Sequence, residues 1–367
     1  MTVAAFMELA LYDPEYGYYA RADRRSGRAG DFFTSVDVGP LFGELLAVQL
    51  AEMFELLSRS RFDLVEAGAG NGRLSADILR AAREHHPAFH DAVRLHLVEA
   101  SAAARAAQAE TLGDGRARLA SSGAGLPAQF EGVLIANELL DAMPTHQVVM
   151  RDDGLREIYV EVGPPSQDTH ADGATKTPCT IEGQLSTPAL QAYFDRLGVA
   201  LQPGWRAEIN LAAVEWVRDA ARRLRRGFMI LIDYGHEARE LYSAAHAAGT
   251  LTSFLHHRSA GAESRRDDEP PWLRRPGEQD LTSHVDFTSV RAAAEAEGMD
   301  AIAFLDQTYF LLGLADRWSA TALAERSGAL KTLIAPGGLG STMKVLILGK
   351  GVGRPTLKGC AFKVRAT

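Results

Sequence analysis

Short apolar runs alternate along this chain with longer stretches in which apolar residues recur at every third or fourth position. The apolar runs are bounded by Gly, Pro or charged residues and cover residues 62–67, 94–99, 116–120, 132–136, 228–234, 301–305 and 343–348. The stretches with helical spacing cover residues 72–85, 101–112, 211–225 and 287–297, and Ser101 is suited to cap the second of them. Buried strands that alternate with helices predict an α/β fold with a parallel sheet and crossover helices.

Two segments interrupt this alternation. Residues 145–205 contain a predicted hairpin that turns at Asp153-Gly154 and a stretch rich in Pro, Thr and Gly, so we expect an inserted hairpin subdomain there. The core then comprises residues 61–144 and 206–350, preceded by residues 1–60 and followed by a tail at 351–367. Residues 236–280 have the composition of a mobile loop, which would be either a lid beside the sheet or a tolerated surface insertion.

Charge and composition give expectations about binding partners, cysteine chemistry and location. Lys and Arg total 39 against 47 Asp and Glu, which gives a net charge of −8. An acidic chain argues against broad nucleic-acid binding and favours the approach of Arg- or Lys-rich partners. The two cysteines lie far apart without a CxxC spacing, so we predict neither a disulfide nor a metal site. The lack of a signal peptide or a long apolar stretch predicts a cytoplasmic location without membrane insertion.

A glycine-rich turn between the first strand and the first crossover helix is the strongest local motif. Glu66 precedes Gly68, Gly70 and Gly72, while Arg73 stands where a dinucleotide fingerprint has its third glycine. Glycines allow a tight turn and a close approach of the backbone to a ligand, and the amides of the following helix suit an anionic group. This spacing favours an S-adenosylmethionine site, although a glycine turn without a ligand is the alternative.

Polar residues follow three other predicted strands at the same sheet edge. Glu99 ends the second strand, where a carboxylate can accept both ribose hydroxyls of a nucleoside or instead cap the next helix. Asn137, Glu138 and Asp141 follow the fourth strand, and Asp233 ends a later one. Such groups are costly to bury without partners, so we expect them to face a cleft, with helix capping as the alternative. His236 follows Asp233 and could equally be an ordinary loop histidine.

Taken together, these motifs resemble those of the MidA-like methyltransferases, a class I family that depends on S-adenosylmethionine. The resemblance spans almost the whole chain through YGYY at 16–19, GDFFTS at 30–35, PLFGELLA at 40–47, EAGAGNG at 66–72, NELLDAMP at 137–144, LIDYGH at 231–236 and DLTSHVDF at 280–287. The mitochondrial member of the family is an arginine methyltransferase that acts in the assembly of respiratory complex I. The sequence departs from the family around residues 252–257 and in a longer loop at 259–275.

The resemblance implies a Rossmann-like, seven-stranded sheet with an inserted subdomain and an N-terminal extension. It makes residues 1–60 a helical cap with a loop that covers the cofactor. The residues expected to bind S-adenosylmethionine are then Gly30, Asp31, Phe33, Thr34, Ser35, Glu66, Gly68, Gly70, Gly72, Glu99 and Asn137.

Three functions remain open at this point. In arginine methylation of a protein substrate, Glu138 would grip the guanidinium, with Asp141, Glu208 and Asp233 as partners. In O- or N-methylation of a small molecule, His236, His256 or His257 would act as general base. The third is an assembly factor that binds S-adenosylmethionine without turnover. Several carboxylates in an open groove would favour arginine, whereas a closed apolar pocket with one histidine would favour a small molecule. Assembly as a homodimer is also left open.

Overall fold

The computed structural model describes residues 1–20, 34–58, 60–163, 178–255, 258–260, 270–315, 321, 326–336 and 338–362. Five residues that the sequence proposed for the site, namely Gly30, Asp31, Phe33, His256 and His257, lie outside the described residues. No helix in these ranges is both long and apolar enough to cross a bilayer.

The strands of the described chain fall into three sheets. In chain order they are β1 Phe62–Ala67, β2 Val93–Val98, β3 Leu119–Gly123, β4 Phe130–Asn137, β5 His146–Arg151, β6 Gly154–Val162, β7 Pro178–Gly183, β8 Arg206–Ile209, β9 Leu224–His236, β10 Thr252–Leu255, β11 Arg258–Ala260, β12 Asp280–Thr282, β13 Val285–Asp286, β14 Asp300–Asp306 and β15 Met343–Lys350. The central sheet has the order β3-β2-β1-β4-β9-β15-β14, and the two-residue β13 adds to β9.

All strands of the seven-strand path are parallel except β15, which runs antiparallel to both β9 and β14. This confirms the predicted α/β class and the seven-stranded, Rossmann-like sheet. The third strand begins at Leu119 and not at residue 116, because Gly113–Arg118 forms a 3₁₀ turn that closes the preceding helix. The carboxyl ends of β1, β2 and β4 meet at one sheet edge, where the turns that follow them converge.

Helices cover both faces of the central sheet. The described α-helices are α1 Val3–Tyr12, α2 Leu41–Leu57, α3 Arg73–His85, α4 Pro87–Ala92, α5 Ala102–Leu112, α6 Ala189–Leu197, α7 Leu211–Arg223, α8 Ala238–Leu241, α9 Phe287–Ala296, α10 Gln307–Ala315, α11 Ser327–Ile334 and α12 Leu339–Thr342. One apolar core joins the sheet to α2, α3 and α10, and a second joins it to α7 and α9. Ser101 caps α5 as predicted, since its hydroxyl accepts a hydrogen bond from the Ala104 amide.

The inserted subdomain is a four-stranded antiparallel sheet with the order β7-β6-β5-β8. Its hairpin turns at Asp152-Asp153, one residue before the predicted position, because Arg151 pairs with Gly154. The strand β8 belongs to this sheet, so the inserted unit extends past residue 205, where the sequence analysis ended it.

Residues 236–280, for which the sequence predicts a mobile loop, contain regular elements in the part that the structure describes. This part contains α8, β10 and a 3₁₀ turn at Pro271–Leu273. Leu251, Trp272 and Leu273 are buried in one apolar cluster with α1, and the Trp272 and Phe6 rings lie 5.8 Å apart. The apolar side chains are sparse in a polar sequence, but burial against α1 orders them.

Candidate active site

A cleft of about 410 Å³ opens at the carboxyl edge of the central sheet. On the sheet side its lining includes Ala67, Gly68, Val98, Glu99, Glu138 and Leu139, all at or just after the ends of β1, β2 and β4. The lining also includes Glu8 and Tyr12 of α1, Tyr19, and Trp216 of α7. The parallel topology therefore brings the predicted glycine turn and two predicted carboxylates into one cavity.

The glycine turn has the left-handed backbone that its sequence demands. Gly68 and Gly70 have φ values of 72° and 52°, which side chains other than glycine rarely adopt. The amide of Gly68 donates to the Val98 carbonyl, and Gln108 Nε2 donates to the Gly70 carbonyl at 2.8 Å. A Cβ on Gly70 would meet no atom of the described residues within 4 Å, so this part of the chain leaves open space beside the turn. Gly72 closes the turn, also at positive φ, as the N-cap of α3.

Glu66 lies behind the turn and does not line the cleft. Its carboxylate accepts hydrogen bonds from the amide and the hydroxyl of Ser75 in α3. Burial raises the pKa of Glu66 to about 7, although the two hydrogen bonds from Ser75 oppose that shift. The structure thus gives Glu66 the role of anchoring α3 under the turn, in place of the direct cofactor contact that the sequence suggested.

Glu99 lines the cleft with both carboxylate oxygens held by the main chain. Oε2 accepts from the Gly70 amide at 2.9 Å, and Oε1 accepts from the Ser101 amide at 2.7 Å. Glu99 therefore has the alternative role that the sequence allows, as a cap at the start of α5. This does not exclude the ribose role, because each carboxylate oxygen has a second lone pair that can accept from a hydroxyl.

Glu138 also lines the cleft, but it has a strained backbone and longer hydrogen bonds than Glu99. Its φ is 52°, an uncommon value for a residue with a side chain. Oε1 accepts from the Ser35 amide at 3.3 Å and from Asn137 Nδ2 at 3.1 Å. Burial raises the pKa of Glu138 to about 8, and the negative charges of Asp233 and Asp37 add to the shift.

Asp233 and Asp141 lie beneath Glu138 and are almost fully buried. Asp233 Oδ2 accepts from the amides of Leu139 and Leu140 at 3.1 and 2.8 Å, so it fixes the turn that carries Glu138. Burial raises the pKa of Asp233 to about 7 despite these hydrogen bonds. Burial also raises the pKa of Asp141, and the charges of Asp233 and Asp280 raise it further. Neither carboxylate lines the cleft, so the structure makes Asp233 a positioning residue.

The turn that carries Glu138, residues 137–141, is called the acidic turn below. Thr34 and Ser35 join it to the glycine turn. Thr34 caps the 3₁₀ turn Ser35–Val38 through its hydrogen bonds with Asp37. Asp37 in turn pairs with Arg73 of α3 at 3.2 Å. The Ser35 amide bonds to Glu138, as described above. Both predicted residues therefore lie next to the site, and their observed hydrogen bonds organise the protein.

Two of the residues predicted to be catalytic lie elsewhere. Glu208 is buried in the inserted sheet, where its carboxylate accepts from Gln147 at 2.9 Å and from the Thr250 amide at 2.7 Å. His236 is not in the cleft lining; its ring lies 4.9 Å from that of His246, and burial lowers its pKa. Both assignments are corrected by tertiary contacts that their local sequence does not reveal. Asn137 remains beside Glu138, and its Oδ1 is buried without a hydrogen bond from the described residues.

The sequence did not predict the aromatic wall of the cleft, which is formed by Tyr12, Tyr19 and Trp216. The rings of Tyr12 and Tyr19 stack at 5.3 Å, the Tyr12 hydroxyl donates to the Ala142 carbonyl, and the Tyr19 hydroxyl donates to Asp280. The YGYY motif contained the only signal for these residues, because Tyr19 belongs to it. Trp216 gave none, since its spacing on α7 is that of an ordinary core residue.

The residues at this edge of the cleft fit S-adenosylmethionine. Gly68 and Glu99 line the cleft from adjacent strand ends, and open space lies beside Gly70. A carboxylate suits the ribose hydroxyls, and a glycine turn at the start of α3 suits the methionine carboxylate.

Comparisons with known proteins agree with this fit. The model of the family described as "Putative S-adenosyl-L-methionine-dependent methyltransferase" matches residues 45–305, more than half of the chain. Mitochondrial protein arginine methyltransferases of Mus musculus and Drosophila melanogaster are each 28% identical; the alignments cover 89% and 95% of this chain and 74% and 82% of those proteins. Because these relatives are named as mitochondrial, they give no support to the cytoplasmic location, which stays a prediction.

Among solved structures, a Burkholderia thailandensis protein bound to S-adenosyl-homocysteine is similar throughout. It is 29% identical with a TM-score of 0.83, and the match covers 98% of this chain and 90% of that one. The resemblance to the MidA-like proteins is thereby confirmed, and S-adenosylmethionine is the cofactor. The chain belongs to the family of S-adenosylmethionine-dependent methyltransferases that the matching model describes, and it is an enzyme of that class.

Proposed function

We propose that this methyltransferase transfers the methyl group to the guanidinium of an arginine in a protein substrate. The lining of the cleft carries the proposal. Among the described residues that form it, three are carboxylates, Glu8, Glu99 and Glu138, and none is Lys, Arg or His. A cleft of this charge attracts a cation, and its described lining offers no imidazole to deprotonate a neutral small molecule.

The buried acids give this preference an energetic basis. The pKa values of Glu138, Asp141 and Asp233 are all raised, first by burial and, for Glu138 and Asp141, also by the repulsion of neighbouring carboxylates. A guanidinium placed beside Glu138 relieves that repulsion and stabilises the charged form of the carboxylate. Two parallel hydrogen bonds from the planar guanidinium to one carboxylate also fix its orientation.

The aromatic wall complements the carboxylates. Tyr12, Tyr19 and Trp216 line the cleft together with the carboxylates. Aromatic faces attract a guanidinium through the cation–π interaction and exclude water from the reacting atoms. The hydroxyls of both tyrosines already donate within the protein, so the wall presents ring surface to the substrate.

In the mechanism, bound S-adenosylmethionine supplies an electrophilic methyl group on a sulfonium. Glu138 holds the guanidinium so that one of its nitrogens points at that group, and Asp233 keeps the turn of Glu138 in place through the amides of Leu139 and Leu140. Transfer would form a nitrogen–carbon bond and break the methyl–sulfur bond of the cofactor, whose sulfur would keep the electron pair. One proton leaves the guanidinium nitrogen for the Glu138 carboxylate, so the methylated group remains a monocation.

The names of the relatives support the same substrate class. The proteins of Mus musculus and Drosophila melanogaster are named protein arginine methyltransferases, at 28% identity to this chain.

Labelled S-adenosylmethionine incubated with the enzyme and a lysate of its host tests the substrate class. We expect label in discrete protein bands and none above background when the enzyme carries Gly70→Val. Label confined to the small-molecule fraction would replace this proposal with small-molecule methylation. No label in either fraction would favour a protein that binds the cofactor without turnover.

A further inference from the structure

Three histidines that are distant in sequence meet behind the acidic turn. His236 ends β9, His246 ends the 3₁₀ turn Ala244–His246, and His284 connects β12 to β13. The pairing of β13 with β9 places Asp286 opposite His236 and so brings His284 close. The ring centroids are separated by 4.9, 5.3 and 5.7 Å, and one ring nitrogen of each residue lies within 4.8 Å of those of the other two.

Two of these rings have buried nitrogens that the described protein does not satisfy. Nδ1 of His236 and Nδ1 of His284 are buried without a hydrogen bond to any described residue. Glu240 Oε1 lies 3.0 Å from His236 Nδ1, but the contact is not aligned as a hydrogen bond. Buried polar atoms are nearly always paired, so two unsatisfied ring nitrogens in a cluster of three histidines point to a missing partner.

The third ring has its tautomer fixed by the main chain. Nδ1 of His246 lies 3.1 Å from the Glu240 carbonyl, to which it donates. A ring that donates through Nδ1 has its free lone pair on Nε2. Metal-binding histidines are characteristically held in this way, with the second nitrogen donating to a carbonyl or carboxylate.

We propose that His236, His246 and His284 bind a divalent transition-metal ion, with Zn²⁺ as the best match to the ligand set. Three neutral imidazoles with a fourth position left to water or to Glu240 are a donor set typical of zinc. Lys344, the cation that acts on His236, is neutralised by an ion pair with Asp306. The sequence predicts no metal site, because the spacing of the two cysteines carries no information about histidines that the fold brings together.

The position of the cluster gives the ion a structural role. The three histidines do not line the cleft. Ser283, next to His284, donates its amide to the Asp141 carbonyl at 2.9 Å. An ion held by the cluster would clamp the end of β9 to the segment that touches the acidic turn. This site is independent of whether the methyl acceptor is arginine.

Metal titration of the full chain, stripped with a chelator, tests the proposal. We expect calorimetry to show one Zn²⁺ bound per chain, and Co²⁺ to give the visible absorption of a tetrahedral site with nitrogen ligands. His246→Gln should weaken zinc binding by about a hundredfold or more, because it removes a direct ligand. His85→Gln is the matched control, since His85 is exposed at the end of α3 and should leave binding unchanged.

A second substitution keeps the test decisive if a ligand variant folds poorly. Glu240→Gln retains the main-chain carbonyl behind His246 and removes only the carboxylate beside His236. It should weaken zinc binding by roughly 10- to 100-fold, the usual effect of a group that supports a ligand. Circular dichroism confirms that each variant is folded. Absence of Zn²⁺ binding to the wild type, or wild-type affinity in folded His246→Gln, would overturn the proposal.

Discussion

Two carboxylates of the cleft follow the ends of β2 and β4, on either side of β1, and they have different hydrogen-bond partners. Each oxygen of Glu99 accepts a main-chain amide, at 2.9 and 2.7 Å. Glu138 receives a longer contact of 3.3 Å and one side-chain amide at 3.1 Å, and burial raises its pKa to about 8. Glu99 is thus held in place before any ligand arrives, whereas Glu138 lacks strong donors.

This difference assigns the two carboxylates to different ligands. A carboxylate held by two amides is preorganised for the hydroxyls of a ribose, which are neutral. A buried carboxylate without a cationic partner is stabilised when a cation binds. We therefore assign the Glu99 side of the cleft to the cofactor and the Glu138 side to the methyl acceptor.

The largest effect is expected from a substitution on the cofactor side. Gly70→Val places a branched side chain in the open space beside the turn, so it should abolish the thermal stabilisation that S-adenosylmethionine gives the wild type. Gly113→Val is the matched control, because Gly113 has nearly the same φ and open surroundings. It carries the same backbone strain and should keep the stabilisation. An unchanged melting shift in Gly70→Val would show that the cofactor does not bind at this turn.

On the acceptor side, Glu138→Gln keeps the shape of the residue and removes its charge. Methyl transfer should fall by about two orders of magnitude or more, the typical loss of a positioned electrostatic group, while cofactor affinity stays at the wild-type level. Glu8→Gln, a substitution in an exposed lining carboxylate, should have a much smaller effect. Cofactor affinity by calorimetry and the rate of methyl transfer are measured on one preparation. If both fall together, Glu138 supports the cofactor or the fold.

Glu99→Ala should weaken S-adenosylmethionine binding by roughly 1–3 kcal/mol, the usual value of a charge-assisted hydrogen bond. Turnover at saturating cofactor should remain near the wild-type value, because Glu99 lies away from the acceptor. Glu110→Ala, an exposed substitution on α5, controls for the loss of a nearby charge. Wild-type affinity in Glu99→Ala would make Glu99 a helix cap only and remove one half of the comparison.

The smallest effect concerns stability and pH. The folded pKa of Glu138, about 8, lies above its ordinary value of 4.5, so the native state holds the proton more tightly than the unfolded state. The associated stability is complete below pH 4.5 and is lost as the pH rises through about 8. Glu138→Gln cannot ionise, so its stability should fall less than that of the wild type over this range. Urea unfolding at both ends of the range measures it; parallel curves would contradict a shifted pKa.

The sequence predicted those parts of the molecule that local patterns determine. The first strand and the cap at Ser101 were found at their observed positions, because buried strands and caps depend on neighbouring residues. The glycine turn was found because positive φ restricts the choice of residue.

Other features arise from contacts between distant residues and have no local signature. Glu208 was assigned to catalysis, but Gln147 and Thr250 hold it inside the inserted sheet. Trp272 lies in a polar stretch, and only its packing against α1 makes that stretch part of the core. The histidine cluster depends on β13, a strand of two residues that no periodicity can reveal.

The identity of the methylated group tests the central claim most directly. Protein labelled by the enzyme from labelled S-adenosylmethionine can be isolated, hydrolysed completely in acid and resolved into its amino acids. The assignment of Glu138 to a guanidinium predicts that the label elutes as methylated arginine and is nearly absent when the enzyme carries Glu138→Gln. Label on lysine or histidine, or label released as volatile methanol from a carboxylate ester, would contradict it.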